Sequence, residues 1–312
     1  MKEFFLDSSD GKKLHCVLWE CKNPVAILQI SHGMMEYVER YGEFANFLNE
    51  NNIVVLGNDH RGHGKTAESK EKLGITDKKD TYEKMIDDLT IVTNYARKNY
   101  PGFPVILFGH SFGSFLAQGY ISKYGKLIDG VILSGTSGKM CVKNLLGLFV
   151  SGIFSMIFGS RHKSKILNYL VFAPYNKYFK PNRTKIDWLC SVEIEVDRYI
   201  EDEYCGKVCS VGFFYNIFKC LSFIHSEKAL SLIRKDLPIL LIEGEKDPVG
   251  GFLKNISWLV KEYVKRGINF ISVRIYSECR HECLNEKNKI QVYNDILNWI
   301  KQVMANEALF ES

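Results

Sequence analysis

VILFGHSFGSFLAQGY, residues 105–120, runs from an apolar stretch through a serine set between two glycines into a helix-forming segment. Read locally it is a strand, a sharp turn and a helix. It leaves two roles open for Ser111: N-cap of the following helix, a position serine favours, or a nucleophile raised on the turn. In the second reading Gly109 and Gly113 are required, because a side chain at either place would strike the strand or the helix. Ser111 itself would take a strained backbone conformation that lifts its Oγ clear of the sheet.

Working outward, residues 25–30 (VAILQI), 53–57 (IVVLG) and 130–134 (GVILS) read as further buried strands. Helical stretches fall at 38–50, 82–98 and 112–124; in the second, Met85, Ile86, Leu89, Val92 and Tyr95 recur at helical spacing. Short apolar runs alternating with helices predict βαβ units and a parallel sheet covered on both faces. The rhythm stops near residue 137 and resumes with PILLIEG (238–244), a helix near 251–266, FISVRIY (270–276) and an amphipathic helix over 286–303. In that last helix Ile290, Tyr293, Leu297 and Ile300 share one face. The predicted organisation is an α/β core over 1–136 and 231–312, interrupted by a mostly helical insertion over 137–230.

The chain has 312 residues, 46% hydrophobic and 25% charged, the balance of a soluble globular protein. Its net charge of +5 comes from 41 basic and 36 acidic residues spread without a basic block, which gives nucleic-acid binding no support. The opening MKEFFLDSSDGKKLHC has no signal-peptide core, so a cytoplasmic setting with reduced thiols is expected for the nine cysteines. Cys205/Cys209 and Cys279/Cys283 are spaced C-x3-C, wider than the preferred zinc knuckle, and read as idle or buried thiols; no metal is expected. The longest uncharged run, LLGLFVSGIFSMIFGS (145–160), falls short of the ~20 residues of a membrane span.

A serine hydroxyl is a poor nucleophile near neutral pH until a base takes its proton. Partners are expected after later strands, acid first and histidine second. Asp247 lies in EGEKDPVG just past PILLIE, and His281 in SECRHECLNE just past FISVRIY. Both fall at the carboxyl edge of the sheet, where open α/β folds bind ligands. Alone, Asp247 reads as a turn residue and His281 as a loop residue; it is the order of all three that points to a triad. Glu243 and Glu245 compete for the acid role, but Glu243 is still at the strand end and Glu245 at the start of the turn. Acyl transfer also needs donors for the oxyanion. The Phe112 amide supplies one, and in QISHGMMEYVERY (29–41) the His32-Gly33 turn presents the Met34 amide as the second. NDHRGHGKT (58–66) holds Asp59, His60 and His63, which could suggest metal ligands; the preferred reading is a glycine-rich loop tied by local hydrogen bonds, with Arg61 paired to an acid.

With HGMMEYVERY, DHRGHGKT, GHSFGS, GEKDPVG and RHECLNE in order, the sequence resembles the α/β-hydrolase superfamily. Within it, the chain resembles the monoacylglycerol lipase and lysophospholipase group, filed with the serine-aminopeptidase-like hydrolases. The resemblance implies that Ser111 is the nucleophile, His281 the general base and acid, and Asp247 its orienter, with Met34 and Phe112 giving the oxyanion amides. Met35, Tyr37 and Ser114 depart from the group, which commonly has a small residue, a histidine and a glycine there. The resemblance further implies that 137–230 caps the site, with 145–160 as a lipid-facing segment, against the alternative of a helix packed apolar side down. Phe213, Phe214, Ile217 and Phe218 would line an acyl tunnel or fill the cap's interior.

The function expected is cofactor-free hydrolysis of single-chain lipid esters, monoacylglycerol or lysophospholipid, with transient membrane or micelle contact through 145–160. Two alternatives stand beside it. One is an aminopeptidase, kept open by the acidic stretch EIEVDRYIEDE (193–203). The other is an inactive binding module of the same fold. Acyl length, head group and oligomeric state are not encoded in the motifs.

Overall fold

The computed structural model describes residues 1–76, 81–138 and 141–305; side chains 141–143 are also outside the description. Residues 139–140 of the predicted insertion and 77–80 and 306–312 of the predicted core therefore lie outside the described residues. In chain order the elements are β1 (Lys2–Asp7), β2 (Lys13–Trp19), β3 (Ala26–Ser31), α1 (Gly42–Glu50), β4 (Ile53–Asn58) and α2 (Tyr82–Asn99). Then come β5 (Val105–His110), α3 (Phe112–Tyr124), β6 (Gly130–Ser134), α4 (Cys141–Phe158), α5 (Lys165–Asn176), α6 (Glu193–Glu201), α7 (Val211–Ile224) and α8 (Glu227–Ser231). The chain closes with β7 (Ile239–Gly244), α9 (Lys254–Lys265), β8 (Ile271–Tyr276) and α10 (Lys289–Ala305). One sheet takes the order β1-β2-β4-β3-β5-β6-β7-β8. β3 to β8 are parallel, while β1 and β2 run antiparallel and form one edge.

The central strands are buried throughout and mostly apolar because both faces are covered. Ile27, Val54 and Leu56 join one core, on the side of α2, α3 and α9, with Leu89, Leu116 and Leu259. Leu28, Ile30 and Val55 join the other, on the side of α1 and α10, with Phe44, Ile296 and Ile300. Strand order reverses about β3 and β5, so the loops after them open a crevice at the carboxyl edge. Between β6 and β7 no residue among those described enters the sheet. There α4 packs on α7, with Gly147 so close to Phe218 that a Cβ would lie 2.5 Å from its ring. α4 is inverted relative to an ordinary surface helix: Asn144 and Ser151 are buried, while Leu145, Leu146, Phe149, Met156 and Ile157 are exposed, Met156 at 80%. α5 adds exposed Ile166, Tyr169 and Leu170. No helix among the described residues is long and apolar enough to cross a membrane.

Candidate functional site

Ser111 joins β5 to α3 with φ 51° and ψ −120°, a conformation that a non-glycine residue holds only when its surroundings enforce it. Its amide donates to Ser134 O (2.9 Å), and its carbonyl accepts from the Ser114 hydroxyl and the Ser114 amide. Both flanking glycines are steric requirements. A Cβ on Gly109 would lie 2.7 Å from Gly113 O, and one on Gly113 only 1.9 Å from Ser31 O. Ser111 has no side-chain cap bond to α3, so the hydroxyl is not spent as an N-cap.

The loop after β3 lies against this turn: a Cβ on Gly33 would meet Ser111 Cβ at 3.3 Å and His110 Cδ2 at 3.2 Å. The loop is pinned at several points. His32 bonds Gly33 O through Nδ1 (2.7 Å) and accepts the His60 amide at Nε2 (2.9 Å), and the Gly33 amide donates to Glu36. Burial holds His32 neutral, well below the usual imidazole range. Among the described residues no acceptor takes the Met34 or Phe112 amide proton; the latter is one of the free N–H groups at a helix start. Met35, with φ 55°, accepts at its carbonyl from Tyr199 Oη (2.9 Å) and the Gly206 amide (3.1 Å), and Tyr37 donates to Asp202 (2.8 Å). Two of the positions that depart from the group therefore fasten this loop to the inserted helices.

Asp247 and His281 meet after β7 and β8. His281 Nδ1 is 2.7 Å from Asp247 Oδ2, and the Val249 amide donates to Oδ1 at 2.7 Å. Both side chains are buried. Burial opposes the charged imidazole, but the Asp247 carboxylate outweighs it and raises His281 above its ordinary value. Burial likewise opposes charge on Asp247, and His281 then holds that carboxyl below the ordinary range. His281 Nε2 is buried with no hydrogen-bond partner among the described residues. Its ring packs on His110 (4.8 Å between centroids) and Trp188 (5.1 Å), and a Cβ on Gly135 would press it at 2.9 Å. No hydrogen bond among the described residues joins Ser111 to His281.

The NDHRGHGKT loop is tied both within itself and to its surroundings. Asp59 accepts from Val38 N (2.9 Å), Lys65 N (2.8 Å) and His15 Nδ1 (2.7 Å), while Arg61 pairs with Asp88 (2.7 Å) and Asp10 (2.8 Å). The one described group of three metal-type side chains with close ligand atoms is Glu3, His15 and Glu39, and Lys65 already bridges its two acids. Phe213 is buried 5.0 Å from the Phe112 ring, and Phe214 is buried beside Phe172.

Sequence reasoning gave no role to Glu36, Arg40 or Glu282 beside this centre. A cavity of about 260 Å³ opens beside His110, lined by Glu36, Tyr37, Arg40, Asp202 and Glu282 among others; neither Ser111 nor His281 is on its wall. Arg40 donates to Glu36 and to both oxygens of Glu282 (3.2 and 3.1 Å). The Glu36/Arg40 spacing in HGMMEYVER was the available signal; Glu282, 242 residues away from Arg40, had none. The insertion is fastened to the His281 loop by Arg280 to Cys190 O (3.1 Å), Glu282 N to Leu189 O (2.8 Å) and Ser191 N to Glu286 (2.9 Å).

Known proteins share this architecture. The chain is 28% identical over 250 residues to monoglyceride lipase of Rattus norvegicus, covering 78% of this chain and 72% of that one. To monoglyceride lipase of Homo sapiens it is 25% identical over 315 residues, covering 96% and 90%. A thermostable carboxyl esterase from Bacillus coagulans, solved with glycerol, superposes with a TM-score of 0.90 at 25% identity over 97% of this chain and 98% of that one. A family model described as serine aminopeptidase, S33, matches residues 22–288. Together with the sheet order and the helices that flank it, this match establishes that the chain belongs to the serine aminopeptidase S33 family of hydrolases and has the α/β-hydrolase fold.

Proposed function

We propose that the protein is a serine ester hydrolase of single-chain lipid esters. The observation that carries the reading is the buried 2.7 Å His281–Asp247 bond, which leaves His281 Nε2 unpartnered at the sheet edge where Ser111 is held in its strained turn. Ser111 Oγ attacks the ester carbonyl as His281 Nε2 takes its proton, and the Phe112 and Met34 amides hold the oxyanion. His281 returns the proton to the departing alcohol; water, deprotonated by the same ring, then releases the fatty acid. No cofactor enters the cycle. The inserted helices act as a cap, and the exposed apolar side chains of α4 and α5, flanked by exposed Arg161 and Lys165, dock on a lipid surface. Relatives named monoglyceride lipase, and a structural neighbour holding glycerol, support this substrate class.

A second reading, an aminopeptidase, draws on the family description and on Glu195 and Asp202 at the cavity beside His110. Those acids compete poorly for an α-ammonium group. Arg40 already neutralises Glu36 and Glu282, Tyr37 occupies Asp202, and Arg198 pairs with Glu195. The test is a matched series of monoacylglycerols, lysophospholipids and aminoacyl amides with graded chain length. Preference for the glyceryl esters is expected, and faster turnover of the amides would overturn the lipid-ester reading.

A further inference from the structure

Glu243 is the penultimate residue of β7, four residues before Asp247, and the mechanism above gives it no task. It is fully buried, and neither carboxyl oxygen has a well-aligned hydrogen-bond donor among the described residues. Its carboxyl lies inside the turn that carries Asp247. A Cβ on Gly250 would fall 2.0 Å from Glu243 Oε1, and the turn is closed by Asp247 N to Gly244 O (3.0 Å) and Phe252 N to Asp247 O (2.9 Å). An ionised carboxylate there would be a buried charge with neither a cation nor a well-aligned donor among the described residues, which protein interiors do not sustain.

The side chain that acts on it most strongly is Asp247, another carboxyl, carried by the same turn whose Gly250 packs on Glu243. Two carboxyls bond only when one keeps its proton. The hydrogen bonds settle which. Both Asp247 oxygens already receive donors, from Val249 N and His281, whereas neither Glu243 oxygen has a well-aligned one. Burial, and then the Asp247 charge beside it, raise the Glu243 carboxyl well above the ordinary range, with the Thr136 amide opposing only weakly. The neighbouring Cys283 thiol is itself pushed up by burial, so it brings no charge.

We propose that Glu243 is a positioning residue that stays protonated and donates a hydrogen bond to the Asp247 carboxylate, so that the pair carries one negative charge and Asp247 is held in line with His281 Nδ1. The inference rests on the triad reading of Asp247 and His281. It predicts that a buried acid behind the triad acts as a neutral donor, and that an amide can replace it but a methyl cannot.

The experiment compares wild type, Glu243→Gln and Glu243→Ala, each shown folded by circular dichroism. Infrared difference spectra at pH 8 read the C=O stretch of a protonated carboxylic acid. Wild type shows the band and both variants lack it. Steady-state kinetics on a soluble short-chain ester should show Glu243→Ala losing about tenfold or more in kcat at unchanged KM, the scale of one charge-assisted hydrogen bond, with Glu243→Gln recovering most of that loss. The band is read from the protein alone, so it tests Glu243 whether or not Ser111 is the nucleophile. Absence of the band in wild type overturns the proposal. So does a Glu243→Gln variant as impaired as Glu243→Ala, or a Glu243→Ala variant with wild-type kcat. If Glu243→Ala does not fold, the band and the Glu243→Gln kinetics decide.

Discussion

Replacing Asp247 by Asn tests the triad at its most constrained point. Oδ1 of Asp247 accepts the Val249 amide at 2.7 Å, so the carbonyl oxygen of an Asn must take that place. The amide nitrogen then occupies the Oδ2 position, 2.7 Å from His281 Nδ1. As a donor it forces Nδ1 to accept, which puts the ring proton on Nε2 and removes the base that Ser111 needs. The substitution is nearly isosteric and leaves no cavity, so folding should survive. The expected loss is about 10⁴-fold in kcat, roughly 5.4 kcal/mol of barrier at 1.36 kcal/mol per decade, with KM little changed. Steady-state turnover of a chromogenic short-chain ester measures it, with near-ultraviolet circular dichroism as the control for packing. An Asn variant within tenfold of wild-type kcat would refute the assignment of Asp247 as the orienting acid.

Three further outcomes are expected. His281 works as a base only when neutral and its value is raised by Asp247, so kcat/KM should fall with decreasing pH along an acid limb centred above about pH 6.5; a midpoint below that value would contradict the electrostatics. Gly113→Ala puts a methyl 1.9 Å from Ser31 O and 2.4 Å from His32 O, backbone atoms that cannot step aside. It should cost about 3 kcal/mol or more and lower Tm by at least about 5 °C, read by calorimetry; an unchanged Tm would show that the elbow is looser than described. Phe149→Ser with Ile157→Ser removes exposed apolar area from α4 and should weaken sedimentation with mixed neutral–anionic phospholipid vesicles more than it lowers turnover of a soluble ester; equal effects would speak against docking through this face.

Much of the core was legible because it follows local rules. VAILQI, IVVLG and GVILS read as strands because parallel strands covered on both faces are apolar without alternation. Ser111 and Asp247 could be placed because each follows such a strand, and His281 because it follows the half-exposed edge strand β8 at the same end of the sheet. β1 and β2 were not read. KEFFLD alternates between exposed and half-buried positions, and the antiparallel pairing of Cys16–Trp19 with β4 is a contact across some forty residues. The Arg40 bridge between Glu36 and Glu282 and the tilted packing of Trp188 on His281 were out of reach for the same reason: each joins segments that meet only in the folded chain. In α4 the composition showed that one face could not bury every apolar residue, but not that buried Asn144 and Ser151 would leave the phenylalanine and methionine outside. Glu243 was visible as a rival acid, and its burial inside the Asp247 turn was not.

The central claim is that Ser111 forms the acyl-enzyme. The most direct measurement is intact-protein mass spectrometry with peptide mapping after exposure to a fluorophosphonate ester, on folded wild type and Ser111→Ala, beside their turnover of a monoacylglycerol. The account predicts one phosphonyl adduct, mapped to Ser111 and absent from Ser111→Ala, whose kcat falls on the order of a millionfold. An adduct on another residue, or an alanine variant that keeps wild-type turnover, would contradict it.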